Sequence, residues 1–284
     1  VGPPRKTGIK PPGGGFIFLG GIYMLLVSDV LKAIDSFAPF DTSCEWDNTG
    51  LIIGSPDQKV TGVAVSLDAT EQAITEAIVK GCSCLVTHHP LIFEPLSNIN
   101  TGTPMGRKIR NCLGNGLAVI SAHTNWDLSP RGVNAILGSM IGLVDATPLD
   151  SGEAGSGMGL FGAFGKAQEG DELPGMILRK WELSWVKYYN VPQTLSRLAV
   201  VGGSGGDLWP LALERGADVL VTADMKYHQI MEAVENGLGI IVADHGEMER
   251  VTINELARLL SGLLQTVVVT VDTGGFSAGR VSIS

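Results

Sequence analysis

The stretch Gly81-Cys82-Ser83-Cys84-Leu85-Val86-Thr87-His88-His89-Pro90 decides how the rest of the chain is read. Gly81 suits the left-handed position that closes a helix, and the apolar run after it has the length of a buried strand. Pro90 then keeps the chain from continuing in sheet. The stretch therefore predicts a strand that ends in two imidazoles. Successive side chains of a strand face opposite ways, but where the strand ends and the chain turns, both can face one cavity.

Working outward, a helix is expected from about Thr70 to Val79 and a strand over Gly62 to Asp68. Val30, Leu31, Ile34 and Phe37 fall at helical spacing, with Ser28 or Asp29 placed to cap the start and Pro39 to end the helix. Glu45 to Gly54 reads as a polar turn running into a strand. Downstream, Gly106 to Leu113 is expected to be helical, and Leu117 to Ala122 forms a strand that ends in His123-Thr124-Asn125-Trp126-Asp127. Residues 145–180 are rich in glycine and read as loop, with a short strand or turn over Met158 to Gly165.

The pattern then repeats. Arg197 to Val201 reads as a strand, Gly202-Gly203-Ser204-Gly205-Gly206 as a loop and Leu208 to Glu214 as a helix. Gly216-Ala217-Asp218-Val219-Leu220-Val221-Thr222 echoes Gly81 to Thr87, and Asn236 to His245 echoes Asn115 to His123. Alternating strands and helices give an α/β fold: two related α/β lobes with mixed, largely parallel sheets. Lobe one is expected over about 24–145, a connecting segment over 146–195 and lobe two over 196–284.

Composition narrows the function. A chain of 284 residues with 44% hydrophobic residues can bury a large core. A formal charge of -9 and a pI near 5.0 offer no long-range attraction to nucleic acid or an anionic membrane, so a small-molecule substrate is expected. Cys44, Cys82, Cys84 and Cys112 form no CxxC pair and read as reduced thiols, which places the protein in the cytoplasm. Residues 1–23 combine a Gly, Pro and Lys/Arg-rich stretch with a short apolar run. They read as a non-native or disordered leader, with native translation expected from Met24.

Four strand ends carry polar residues: His88/His89, His123 to Asp127, Asp224, and Asp244/His245. Open α/β sheets bind ligands beyond the carboxyl ends of their strands, so one shared site between the halves is the economical arrangement. His245 and Glu249 are four apart and share a face if a helix begins there. With His88, His89 and Asp127 they make a mixed N/O donor set suited to Zn, Fe, Mn, Co or Ni. Five such ligands exceed what one open catalytic ion needs and suit two divalent ions sharing carboxylates. A lone histidine is usually structural or solvated, and for His123 or His228 alone that reading is preferred. What favours metal is that three of the five histidines and two carboxylates gather at strand ends or in the adjoining helical turn. The Gly202 to Gly206 loop reads either as a phosphate cradle or as a tight turn, and it carries no GK[ST].

Five motifs occur in order: Glu45-Trp46-Asp47-Asn48-Thr49-Gly50, Thr87-His88-His89-Pro90, His123 to Asp127 with Gly132-Val133-Asn134, Thr222-Ala223-Asp224-Met225-Lys226-Tyr227-His228, and Asp244-His245-Gly246-Glu247-Met248-Glu249-Arg250. Together they resemble the NIF-three-like family, also called GTP cyclohydrolase 1 type 2, from Met24 to the C-terminus. The resemblance implies a two-lobed α/β fold in a ring-shaped homohexamer, with metal pairs facing an internal cavity. The implied ligands are His88, His89, Asp127, His245 and Glu249. Gly203, Ser204 and Asp224 are expected to wall the substrate pocket, and His123 and His228 to move protons. The 145–195 segment is too short for the domain that larger members insert there. Ala223 and Asp244 stand where the family often has Gly, and Trp126 where Leu is common. The implied function is metal-dependent hydrolysis of a nucleotide-like small molecule, in the family's reaction attack of activated water on C8 of the guanine of GTP with loss of formate. The alternatives are a non-catalytic metal-binding, metal-delivery or regulatory protein, and a purely structural oligomer.

Overall fold

The computed structural model describes residues 24–150 and 157–271, and the leader read at 1–23 lies outside them. Strands β1 (Gly50–Ile53), β2 (Val63–Ser66), β3 (Cys84–Thr87) and β4 (Ala118–Ser121) join β11 (Val268–Thr270) in a sheet of order β1-β4-β3-β2-β11. Its strands are parallel except for the edge strand β1. A second sheet has order β5-β6-β8-β9-β10-β7, built from β5 (Leu143–Pro148), β6 (Leu160–Glu169), β7 (Val186–Tyr189), β8 (Thr194–Ser204), β9 (Val219–Ala223) and β10 (Gly239–Ala243). There β8, β9 and β10 are parallel, flanked by antiparallel β6 and β7.

The two halves repeat because the same local chemistry ends their helices. Helices α2 (Glu71–Val79) and α3 (Pro104–Gly114) alternate with β2, β3 and β4, as α7 (Trp209–Glu214) and α8 (Tyr227–Glu235) alternate with β8, β9 and β10. Gly81, Gly116, Gly216 and Gly237 come after these helices with φ of 75°, 62°, 74° and 89°. After each, the next amide reaches back to a carbonyl of the last turn: Cys82 to Ala77, Leu117 to Cys112, Ala217 to Ala212 and Leu238 to Ala233. These are Schellman closures, and only glycine takes the left-handed position cheaply. Thr70 and Thr103 cap the starts of α2 and α3 by accepting from Ala73 and Gly106 amides.

Strands β2, β3, β4, β9 and β10 are buried along their whole length, which fits parallel strands covered on both faces. Alternate residues feed different cores. Ala64, Leu85 and Val119 pack with α2 and α3, and Ala199, Leu220 and Ile240 with α7 and α8. Val65, Val86 and Ile120 face the same central core as Val200, Val221 and Ile241. Side chains of α1 (Val27–Asp35), α5 (Val133–Met140), α9 (His245–Arg250) and α10 (Ile253–Leu263) fill that central layer, so one core joins both sheets.

Several sequence expectations are corrected. Helix α1 is capped by neither Ser28 nor an N-terminal Asp29: it starts at Val27, and Asp29 reaches back from the first turn to the Leu26 amide at 3.0 Å. The segment read as loop over 145–180 holds β5, the ten-residue β6 and α6 (Leu173–Lys180). Two of its glycines, Gly162 and Gly165, sit inside β6, and Gly162 lets β5 approach to 3.2 Å of the place a Cβ would take. Strand β8 continues through Gly202, Gly203 and Ser204, so the phosphate-cradle loop read there is mostly strand. The lobes also interleave, because β11 crosses back to pair with β2. No described helix is long and apolar enough to cross a membrane.

Asn134 on α5 ties the halves together while buried. It donates to the Asp127 carbonyl at 3.0 Å and accepts from the Gly202 amide at 2.8 Å. Asn134→Leu would strand both groups, and we expect it to lower unfolding free energy by on the order of 2–4 kcal/mol, read by urea denaturation. A change under about 0.5 kcal/mol, the range of an ordinary surface substitution, would contradict this role.

Candidate metal centre

The carboxyl ends of both sheets deliver their polar residues to one place. His88 and His89 directly follow β3, and their amides still bond to the Ser66 and Leu67 carbonyls at 3.2 and 2.9 Å. Ser121 and Thr87 hydroxyls hold the His88 and His89 carbonyls, fixing the turn that lets both rings face inward. His123 comes after β4 and begins α4 (Thr124–Leu128), which carries Asp127. From the second sheet, Asp244 caps α9 by accepting from the Glu247 amide at 3.0 Å, and that helix places His245 and Glu249 one turn apart.

The rings lie close: His88 to His89 4.8 Å, His88 to His123 5.1 Å, and His89 to His245 5.4 Å between centroids. Glu249 Oε2 stands 3.0 Å from His89 Nε2 and 3.1 Å from His245 Nε2, with Oε1 3.8 Å from His88 Nε2. Asp127 Oδ1 is 3.6 Å from His88 Nε2. Among the described residues, three sets of ligand atoms cluster within 4.8 Å: His88/His89/His123, His89/His245/Glu249 and His88/Asp127/Glu249.

Every imidazole of the cluster is oriented from outside. Nδ1 of His88 donates to the Ala122 carbonyl at 3.0 Å, and a carbonyl can only accept. Nδ1 of His89, His123 and His245 meets Asp68 at 2.8 Å, Asp47 at 2.8 Å and Asp224 at 2.5 Å. With Nδ1 turned to these acceptors, each Nε2 faces the interior, as metal-binding histidines require.

The charges are coupled through burial. Burial works against a charged His89, but the Asp68 and Glu249 carboxylates outweigh it and raise its pKa to about 10. For His245 the same opposition, won by Glu249 and Asp224, raises it to about 9. Burial alone would push Glu249 up, yet His88 and the other two imidazoles hold it well below the usual carboxylate range. Asp127 is raised by burial, which its neighbours do not offset. Asp47 goes the other way, to about 2: burial opposes the shift, but His123 and Thr124 bonds prevail.

These residues fit a divalent ion on an observation of the chain itself. Among the described residues, His88 Nε2 and Asp127 Oδ1 are buried without a hydrogen-bond partner, and both gather with the Glu249 carboxylate. Such atoms are costly to leave unanswered, and here they converge. Ions placed among them would satisfy them and take over the charge balance that protonated His89 and His245 otherwise provide.

Of the residues expected from sequence, His88, His89, Asp127, His245 and Glu249 are brought together, and His123, expected to move protons, stands with His88 and His89 in one of the candidate ligand sets. His228 is not brought in: it stands exposed on α8 with its ring against Tyr227. Asp224 lines a cavity of about 430 Å³ with His89, His245, Trp185 and Met225, but its carboxylate is committed to His245. Gly203 and Ser204 are not on that lining. Gly203 serves otherwise: at φ 65°, a Cβ there would lie 2.3 Å from Glu249 Oε1 and 3.2 Å from His245 Nε2. Sequence reading missed Asp47 and Asp68 as orienting groups, although both stand where a strand or a motif meets the site.

The family Duf34/NIF3 (NGG1p interacting factor 3) matches residues 25–274. A "GTP cyclohydrolase 1 type 2 homolog" of Clostridium perfringens is 33% identical over 229 residues, covering 78% of this chain and 86% of the relative. Among solved structures, a Staphylococcus aureus protein superposes with TM-score 0.82 at 25% identity, covering 89% and 99% of the two chains. Reduced HcgD from Methanocaldococcus jannaschii gives 0.76 at 26%, covering 88% and 99%.

Gly203→Ala should displace the Glu249 carboxylate while leaving the fold in place. Elemental analysis of purified protein is expected to show metal content below half of wild type for this variant and for Asp127→Ala, with unchanged far-UV circular dichroism. Full metal content in both would remove these residues from the centre.

Proposed function

The chain belongs to the Duf34/NIF3 family, and on that premise we propose that its cluster binds two divalent metal ions and hydrolyses a nucleotide-like small molecule. His88, His89, Asp127, His245 and Glu249 would hold the ions, with His123 as a further donor. Their mixed N/O chemistry suits Zn, Fe, Mn, Co or Ni. Bound there, such ions supply Lewis-acid charge that polarises a substrate and acidifies water. The observation that carries the reading is the convergence of His88 Nε2 and Asp127 Oδ1, both buried without a hydrogen-bond partner, on the Glu249 carboxylate.

The remaining work falls to the protein. Asp68, Asp224, Asp47 and the Ala122 carbonyl hold four imidazoles in one tautomer. Gly203 leaves room for the Glu249 carboxylate, and the cavity beside His89 and His245 has the size of a small-molecule site. The names of the relatives support GTP as the first substrate to test. The same reading has the chain assemble with itself as a homohexamer and work in the cytoplasm, the latter supported by four unpaired cysteines.

The test is turnover by metal-loaded protein of GTP and of generic phosphoesters, before and after chelation. Metal-dependent turnover is expected, with Asp127→Ala lowering it by about a hundredfold or more, as loss of a group acting on the transition state does. Metal-loaded protein that turns over none of them would favour the non-catalytic, metal-carrying alternative. Light scattering checks the assembly, and a monomer at working concentration would exclude the hexamer.

A further inference from the structure

The Glu45 to Gly50 motif has a second product besides Asp47. Trp46 is 63% exposed and Phe93 46% exposed, yet both lie at the metal centre. Their rings are 6.0 Å apart, and each lies 6.3 Å from the His123 ring. Large apolar rings left in water on anchored backbone are unfavourable unless something covers them.

The backbone under them is firmly built. Asp47, next to Trp46, is fixed by His123 Nδ1 and by the Thr124 amide and hydroxyl at 3.0 and 2.6 Å. Asn48 donates to the Ile92 carbonyl at 2.6 Å, next to Phe93, and so ties the two loops together. The Cys44 amide donates to the Thr124 hydroxyl at 3.0 Å, holding the same loop from its start. Both rings are thus presented in place before any ligand arrives, which reduces the ordering cost of binding.

The aromatic chemistry of the corner selects its occupant. Trp46 meets Phe93 at 62° and His123 at 76°, and Phe93 meets His123 at 81°. The three rings pack edge to face as one aromatic corner, with Trp46 and Phe93 still exposed beside His123. A flat ring laid on the exposed part of this corner stacks on one of its faces, a favourable geometry. Its third wall is His123, whose ligand atom belongs to the His88/His89/His123 set, so an occupant sits against the metal centre.

We propose that Trp46 and Phe93 form a stacking subsite for a planar heteroaromatic ring of the small molecule that the centre serves. This rests on the reading of the centre as a small-molecule site and deepens it: the ligand is recognised by its ring as well as by its reacting group. Trp46 and Phe93 are specificity residues here, not catalytic ones.

The test measures binding, so it does not depend on turnover. Metal-loaded wild type, Trp46→Ala and Trp46→Phe are titrated calorimetrically with guanosine monophosphate and with ribose 5-phosphate, which shares the phosphate and lacks the ring. Wild type should prefer the ring-bearing probe by about tenfold or more, the scale of one base–aromatic stack. Trp46→Ala should lose that preference with unchanged metal content, and Trp46→Phe should keep most of it. Equal binding of the two probes by wild type, no binding of either, or a preference that survives Trp46→Ala would overturn the subsite. A change in sedimentation on Trp46→Ala with no ring preference in wild type would assign the corner to contact with a second copy, which also overturns it. Ring-selective binding without hydrolysis would leave the subsite standing and sink only the hydrolase reading.

Discussion

The carboxylate of Glu249 sits almost wholly buried among imidazoles from both sheets, and the need to answer it shapes the arrangement of the chain. His88 and His89 come from the first sheet and His245 from the second, all with Nε2 within 3.0–3.8 Å of this one carboxylate. A buried carboxylate left alone costs several kcal/mol, so the strand ends of two sheets must meet where it lies. The same demand reaches β8, where Gly203 takes a left-handed turn because a side chain would occupy the place of Glu249 Oε1. Asn134 bonds both to the Asp127 carbonyl and to the Gly202 amide beside that glycine, which fixes the distance between the contributions of the two halves.

Two copies of a simple unit make this meeting possible. In each, a helix closed by a left-handed glycine feeds a fully buried parallel strand. The closures are alike, but the residues at the strand ends differ. After β3 come two histidines, whereas after β9 comes Asp224, which spends its carboxylate orienting His245. The halves therefore keep the same scaffold and divide the chemistry, the first supplying most of the imidazoles and the second the central carboxylate.

Around the converging atoms lies a layer of acceptors that decides which nitrogen of each ring is free. Asp68, Asp224, Asp47 and the Ala122 carbonyl accept from Nδ1 and leave each Nε2 facing inside. Asp47 does this while its neighbour Trp46 faces solvent, so the bond that orients His123 also positions the aromatic corner beside it. Orientation of the centre and recognition at its mouth are in this way parts of one loop.

Much of this was legible in the order of residues. The period of the apolar runs, the glycines after helices and the echo between Gly81–Thr87 and Gly216–Thr222 determined the α/β class and its two related halves, because capping and strand burial are local properties. The four-residue spacing of His245 and Glu249 determined their shared face for the same reason. Long-range pairing was not legible: glycines in 145–180 and at Gly202–Gly203 read as loop, since sequence alone does not show that an antiparallel neighbour or a carboxylate needs their missing side chains. Nor could spacing show that β11 returns to the first sheet, that Asp47 and Asp68 turn to the histidines, or that His228 faces away while His123 joins the cluster. The sequence by itself determined which residues end the strands. Only the tertiary structure decided which of those ends meet, because that depends on contacts between groups far apart in the chain, set by packing both sheets on one core.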